Sequence, residues 1–114
     1  MVILGIDPGL AKLGWGVLET GSPPRNQILR LRDYGVLSTS AAEPFNSRLH
    51  TITGTFSQLL SRFTPDAVAV EDIFFFKNVS SAIPVAKVIG ALQITAINAG
   101  YPVRMFTPLQ IKTA

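Results

Sequence analysis

Two short apolar runs in this chain each close on a carboxylate: Val2, Ile3, Leu4, Gly5 and Ile6 lead into Asp7, and Ala67, Val68, Ala69 and Val70 lead into Glu71. Branched apolar residues in runs of this length suit strands buried on both faces. An acid is expensive in such a place unless it stands at the strand end and is neutralised. Two such acids at neighbouring strand ends predict a shared cation site, and a fold that sets the two strands side by side.

The rest of the composition limits what that fold can be. At 114 residues, with 47% hydrophobic and 15% charged side chains, the chain reads as one folded domain spanning 1–114, at the low end of domain size. No continuous apolar run approaches the roughly 20 residues of a bilayer span, and the start has no basic stretch followed by an apolar one and a cleavage site. The expectation is a soluble, cytoplasmic protein with no membrane partner. Cysteine is absent, which excludes disulfides and thiolate ligation, so a metal must be held by oxygen or by the single His50. The net charge of +3 favours polyanions without identifying one. Its distribution says more: no acid follows Asp72, whereas Lys77, Lys87, Arg104 and Lys112 all do. These four cations suit either a solvated face or a nucleic-acid surface.

Periodicity supplies the order of elements. After the first strand, Pro8-Gly9 signals a turn and 13–18 a second strand, in which Gly14 and Gly16 leave one face nearly bare to close approach. Residues 28–37 offer a third strand, making an antiparallel meander. From Phe45 to Phe63 the apolar residues recur every three or four positions, an amphipathic helix that Pro65 ends; Gly54 within it predicts close packing. After the strand ending at Glu71, a second helix is expected from about 80 to 99, capped by Ser80 or Ser81, with Pro84 in its first turn. It is apolar all round, which predicts burial on one side by the sheet and on the other by a second subunit or a further helix. A last strand, 103–106, leads into Thr107-Pro108, a helix start. The implied fold class is α/β, with a mixed five-stranded sheet (antiparallel meander plus parallel strands) flanked by helices.

If the first strand and the strand ending in Glu71 are neighbours, Asp7 and Glu71 emerge at one sheet edge and their repulsion calls for a hard cation such as Mg²⁺ or Mn²⁺. Taken singly, Asp7 before Pro8-Gly9 also fits a plain turn residue, while a Glu directly after four small apolar residues is harder to explain as structure alone. Asp72 alternates to the opposite side and reads as a surface or capping acid, and His50 as a packed or surface residue. Phe74, Phe75 and Phe76 cannot all face inward from a link that continues into Lys77-Asn78. An exposed aromatic beside a lysine is an arrangement that stacks on bases.

Taken in order, Ile3-Leu4-Gly5-Ile6-Asp7-Pro8-Gly9 with Gly14-Trp15-Gly16, Pro65 through Glu71, Phe74 with Lys77-Asn78, and Thr107-Pro108-Leu109-Gln110-Ile111-Lys112 resemble the RuvC family of Holliday-junction resolvases. The resemblance implies a ribonuclease-H-like fold and a homodimer, formed through the helix at about 80–99, that binds four-way junction DNA and makes paired nicks during recombination and repair. It implies Mg²⁺ as cofactor, with Mn²⁺ as substitute and two ions in the complete site, and branch-migration proteins as partners. Asp7 and Glu71 match two of the family's four catalytic and metal-binding acids. Phe74 matches the aromatic that inserts at the junction; Lys77, Asn78 and Lys12 are the other expected DNA contacts.

Two departures go with it. The family's other two catalytic aspartates lie on a helix beyond residue 114, so a C-terminally truncated domain lacking the C-terminal helices, inactive or nearly so, is expected. Residues 83–90 also depart from the family's Gly-Gln-x-x-Gly pattern. The rival readings are a fragment of an actin-like ATPase or sugar kinase, whose first strand also delivers an Asp and a Gly-rich turn, and a non-catalytic dimerising DNA-binding module.

Overall fold

The structure, a computed structural model, describes residues 1–21, 28–73 and 79–107. Strands β1 (Val2–Asp7), β2 (Lys12–Thr20) and β3 (Ile28–Ser38) come first, followed by helix α1 (Phe45–Phe63), strand β4 (Ala67–Glu71), helix α2 (Val79–Asn98) and strand β5 (Val103–Phe106). They form one five-stranded sheet in the order β3-β2-β1-β4-β5. The first three strands are the expected antiparallel meander, and β4 pairs parallel with both β1 and β5. The helix start anticipated after Thr107 lies outside the described residues from 108 onward.

Strand alternation gives the sheet two unlike faces. Leu4, Ile6, Val17, Val68 and Val70 pack with Ile52, Phe56, Leu60 and Leu92 of the helices into one core. Registers Gly5↔Gly16, Asp7↔Gly14 and Gly5↔Ala69 put the small residues and both carboxylates on the other face. Among the described residues no helix covers that second face, and Tyr34 and Val36 on it are 72% and 65% exposed. The expectation of burial on both faces is therefore corrected for these residues: the apolar runs have a branched side toward the helices and a largely small side, Gly5 and Ala69, away from them.

Helix α1 follows its apolar stripe and stops as its sequence dictates. Thr64 takes a left-handed conformation (φ 39°), its amide returns to the Leu60 carbonyl at 2.9 Å, and Pro65 cannot continue the helix. Close packing at Gly54 is not found; a side chain there would meet open space. Helix α2 begins at Val79, so Ser80 and Ser81 lie inside the first turn instead of capping it, and Pro84 falls in the second turn, where it removes an amide from the helical ladder. Val88, Ile89, Leu92 and Ala96 are its buried side, while Ile83, Ile94 and Ile97 are at least half exposed.

The segment Ser80–Asn98, with a mean hydropathy of 1.4, is long and apolar enough to cross a bilayer by length and composition, which corrects the reading that no stretch reaches that length. Single polar residues such as Lys87 and Gln93 break the run without lowering its average below that mark. Here α2 connects two paired strands and sends Val88 and Leu92 into the core, while most of the segment is not buried.

Candidate active site

The start of β4 is pinned to the start of β1 by two hydrogen bonds. The Val2 amide donates to Asp66 Oδ2 at 2.7 Å, and the Asp66 amide donates to the Val2 carbonyl at 2.7 Å. From that anchor the parallel register runs Ile3↔Ala67 through Ile6↔Val70, so Asp7 and Glu71 leave their strands as the next pair. Side-chain period then places both on the same, open face.

There the two carboxyl groups lie close enough to act on each other through a hydrogen bond and through charge. Partial burial, that hydrogen bond and the negative charge of Asp7 together hold the Glu71 carboxyl above the usual range for a glutamate. The raised value marks a place where two negative charges are crowded, which a cation would relieve. Hard oxygen donors of this kind suit Mg²⁺ or Mn²⁺. Among the described residues no third Asp, Glu or His joins the pair in a metal-sized cluster.

The pair stands at the end of an open cleft of about 370 Å³, floored by Gly5, Gly14, Gly16 and Ala69 and bordered by Phe106. The two β2 glycines form the bare lane that their spacing predicted. A β-carbon on Gly14 would sit 3.7 Å from that of Asp7, so any larger side chain would crowd the carboxylate. The turn after Asp7 needs glycine for a different reason: a β-carbon on Gly9 would overlap the Lys12 carbonyl oxygen.

Of the other site residues expected from sequence, Lys12 is exposed at the first position of β2, on the strand side shared with Gly14. Phe74, Lys77 and Asn78 lie outside the described residues. His50 is exposed on α1. The Asp72 carboxylate accepts the Ile73 amide at 2.8 Å, a local cap. Sequence reasoning missed Phe106 at the cleft and Asp66 as the register anchor. Phe106 was within reach, since it pairs with Glu71 and alternation puts the two on one face; Asp66 carried no signal beyond being an acid before a strand.

The profile of the family described as Crossover junction endodeoxyribonuclease RuvC matches residues 3–114. A relative of that name from Citrifermentans bemidjiense is 39% identical over the whole chain, which spans 67% of the relative. Another, from Roseiflexus sp., is 41% identical over 97% of the chain and 64% of its own length. Among solved structures, T. thermophilus RuvC in complex with a Holliday junction substrate superposes with a TM-score of 0.88 at 37% identity, covering 99% of this chain and 70% of that one. The yeast mitochondrial Holliday junction resolvase, at 16% identity and a TM-score of 0.71 over 97% of this chain and 52% of that one, shares the fold. The ATPase-fragment and non-catalytic-module readings gain nothing from these matches, and the ribonuclease-H-like expectation is met. The chain belongs to the RuvC family of crossover junction endodeoxyribonucleases.

Proposed function

We propose that this chain carries half of the catalytic metal site of a structure-selective endonuclease, one that resolves Holliday junctions by paired nicking of DNA during recombination and repair. The observation that carries the reading is the Asp7–Glu71 pair, two carboxyl groups at adjacent strand ends that line one open cleft.

Asp7 and Glu71 are the cation ligands in this reading. When bound, Mg²⁺, or Mn²⁺ in its place, with two ions in the complete site, supplies positive charge against the phosphodiester and lowers the pKa of a water nucleophile. Glu71 must give up its proton to act as a ligand, so acid pH opposes loading. Gly14 and Gly16 keep the floor of the cleft low enough for a sugar–phosphate backbone to reach the carboxylates. Lys12, Lys77 and Asn78 supply contacts to phosphates, and Phe74 supplies a stacking surface for an unpaired base. The exposed Ile83, Ile94 and Ile97 of α2 form the apolar face of a homodimer, which spaces two sites for two nicks. A cytoplasmic setting with branch-migration proteins completes the reading.

The family resemblance assigns two further acids to the complete site, and residues 1–114 are read as one nuclease domain that supplies Asp7 and Glu71. The test is a chimera of 1–114 with the last third of the Thermus thermophilus relative, assayed on a synthetic four-way junction. Metal-dependent paired nicking that Asp7→Asn and Glu71→Gln each abolish is the expected result, with polypeptide 1–114 alone at background. Nicking that survives either substitution would remove the pair from the chemistry.

A further inference from the structure

A buried arginine far from either carboxylate in sequence is tied to the turn that follows Asp7. Arg48, on the first turns of α1, is only 9% exposed. Its Nε donates to Thr39 Oγ1 at 2.9 Å, and that hydroxyl donates to the Leu10 carbonyl at 2.5 Å. The Thr39 amide donates to the next carbonyl, that of Ala11, at 2.9 Å. Thr39 thus holds two successive carbonyls of the β1–β2 turn, one through its backbone and one through its side chain.

The chemistry of the donors fixes the direction of this relay. A guanidinium has no acceptor, so the Thr39 oxygen must accept from Arg48, and a carbonyl has no donor, so the Thr39 proton must go to Leu10. Only one arrangement satisfies all three groups, and it locks the threonine rotor. Removing the guanidinium frees the hydroxyl to turn, whereas removing the hydroxyl strands both the Leu10 carbonyl and a buried Arg48 donor. The held turn runs from Asp7 to Lys12 and closes tightly at Gly9, so its position is transmitted to Asp7 at one end and, through β2, to Gly14 beside it.

We propose that Arg48 and Thr39 are positioning residues that hold the turn after Asp7, and with it the Asp7 carboxylate, in the geometry that receives a divalent cation together with Glu71. This rests on the reading of Asp7 and Glu71 as cation ligands. Groups that orient metal ligands from behind typically cost about 10- to 100-fold in metal affinity when removed; acting through backbone, this relay is expected at the low end, roughly tenfold.

The experiment is a Mn²⁺ titration of the 114-residue chain, followed by the electron paramagnetic resonance signal of free Mn²⁺, well below each variant's melting temperature. Wild type, Asp7→Asn, Thr39→Val, Thr39→Ser and Arg48→Lys are compared. Thr39→Val is expected to weaken binding about tenfold, Arg48→Lys to weaken it in the same direction, and Thr39→Ser, which restores the hydroxyl, to return it toward wild type. Thr39→Val and Arg48→Lys proteins that are folded and bind Mn²⁺ like wild type, while Asp7→Asn does not, would overturn the proposal and leave the ligand assignment standing. No Mn²⁺ binding by wild type, or binding that Asp7→Asn leaves unchanged, would overturn the ligand assignment itself. If Thr39→Val does not fold, the Arg48→Lys and Thr39→Ser titrations decide between the same outcomes.

Discussion

Asp7 and Glu71 leave the parallel strands β1 and β4 as the pair after Ile6↔Val70, and the glutamate is held above its ordinary pKa by burial and by its neighbour Asp7. A carboxyl group in that state binds its proton more tightly folded than unfolded. It favours the fold below the unfolded pKa and loses that contribution as pH rises through the raised folded value. The metal-free protein at neutral pH therefore bears a cost that Glu71→Gln removes. Thermal melts without divalent ions should show the variant more stable near pH 7 by about 0.5 kcal/mol, or ~2–4 °C, after allowing for solvent screening. The difference should shrink as pH falls below the ordinary glutamate range, and Mg²⁺ should narrow it by stabilising the wild type alone.

Two glycines should respond in opposite ways to alanine. At Gly54 in α1 a side chain meets open space, so Gly54→Ala should stabilise by about 0.5–1 kcal/mol through helix propensity. At Gly9 a β-carbon overlaps the Lys12 carbonyl, so Gly9→Ala should destabilise by about 2 kcal/mol or more and weaken cation binding along with the fold. Urea denaturation of both variants checks the signs.

The apolar outer side of α2 predicts association. Ile94 and Ile97 are 52% and 57% exposed, so charged residues there leave the core of the subunit intact. Ile94→Glu with Ile97→Glu should convert a dimer to a monomer in light scattering after size exclusion, with the melting temperature at high dilution within about 2 °C of wild type, as for substitutions of exposed residues. A double variant that still dimerises would place the interface elsewhere.

Much of this was legible in the residues. The two apolar runs, the 3.6-residue stripe of α1 and the Pro65 stop gave elements whose bounds match within a residue or two, and strand order followed from placing Asp7 beside Glu71. The site pair was legible because a Glu directly after Ala67-Val68-Ala69-Val70 has few structural reasons to be there. Other features were hidden for physical reasons. The start of α2 was placed within a residue, but Ser80 and Ser81 were read as its caps because they resemble caps, whereas capping depends on where the backbone leaves the extended region. The open second face of the sheet was hidden because Ile3 and Ala69 carry the same apolar label as Leu4 and Val68, and burial is decided by what packs above. The links from Asp66 to Val2 and from Arg48 through Thr39 to Leu10 join residues 9 to 64 apart, a separation that periodicity does not encode.

Gly14 tests whether the bare lane serves the carboxylates. Gly14→Val suits a strand by propensity and meets no backbone, since the nearest atom to its β-carbon is the Asp7 side chain at 3.7 Å. The fold should tolerate it, with a change in stability of less than about 1 kcal/mol, while Mn²⁺ affinity falls several-fold. Unchanged affinity in a folded variant would show the lane to be a feature of packing alone.

The central claim is that Asp7 and Glu71 hold one divalent cation between them. It is tested most directly by adding Mn²⁺ to the isotope-labelled chain and recording which amide resonances broaden. Broadening centred on Asp7, Gly14 and Glu71, competed away by excess Mg²⁺ and lost in Asp7→Asn, is the expected result; broadening centred elsewhere, or at this pair but unchanged by that substitution, would contradict a cation held between them.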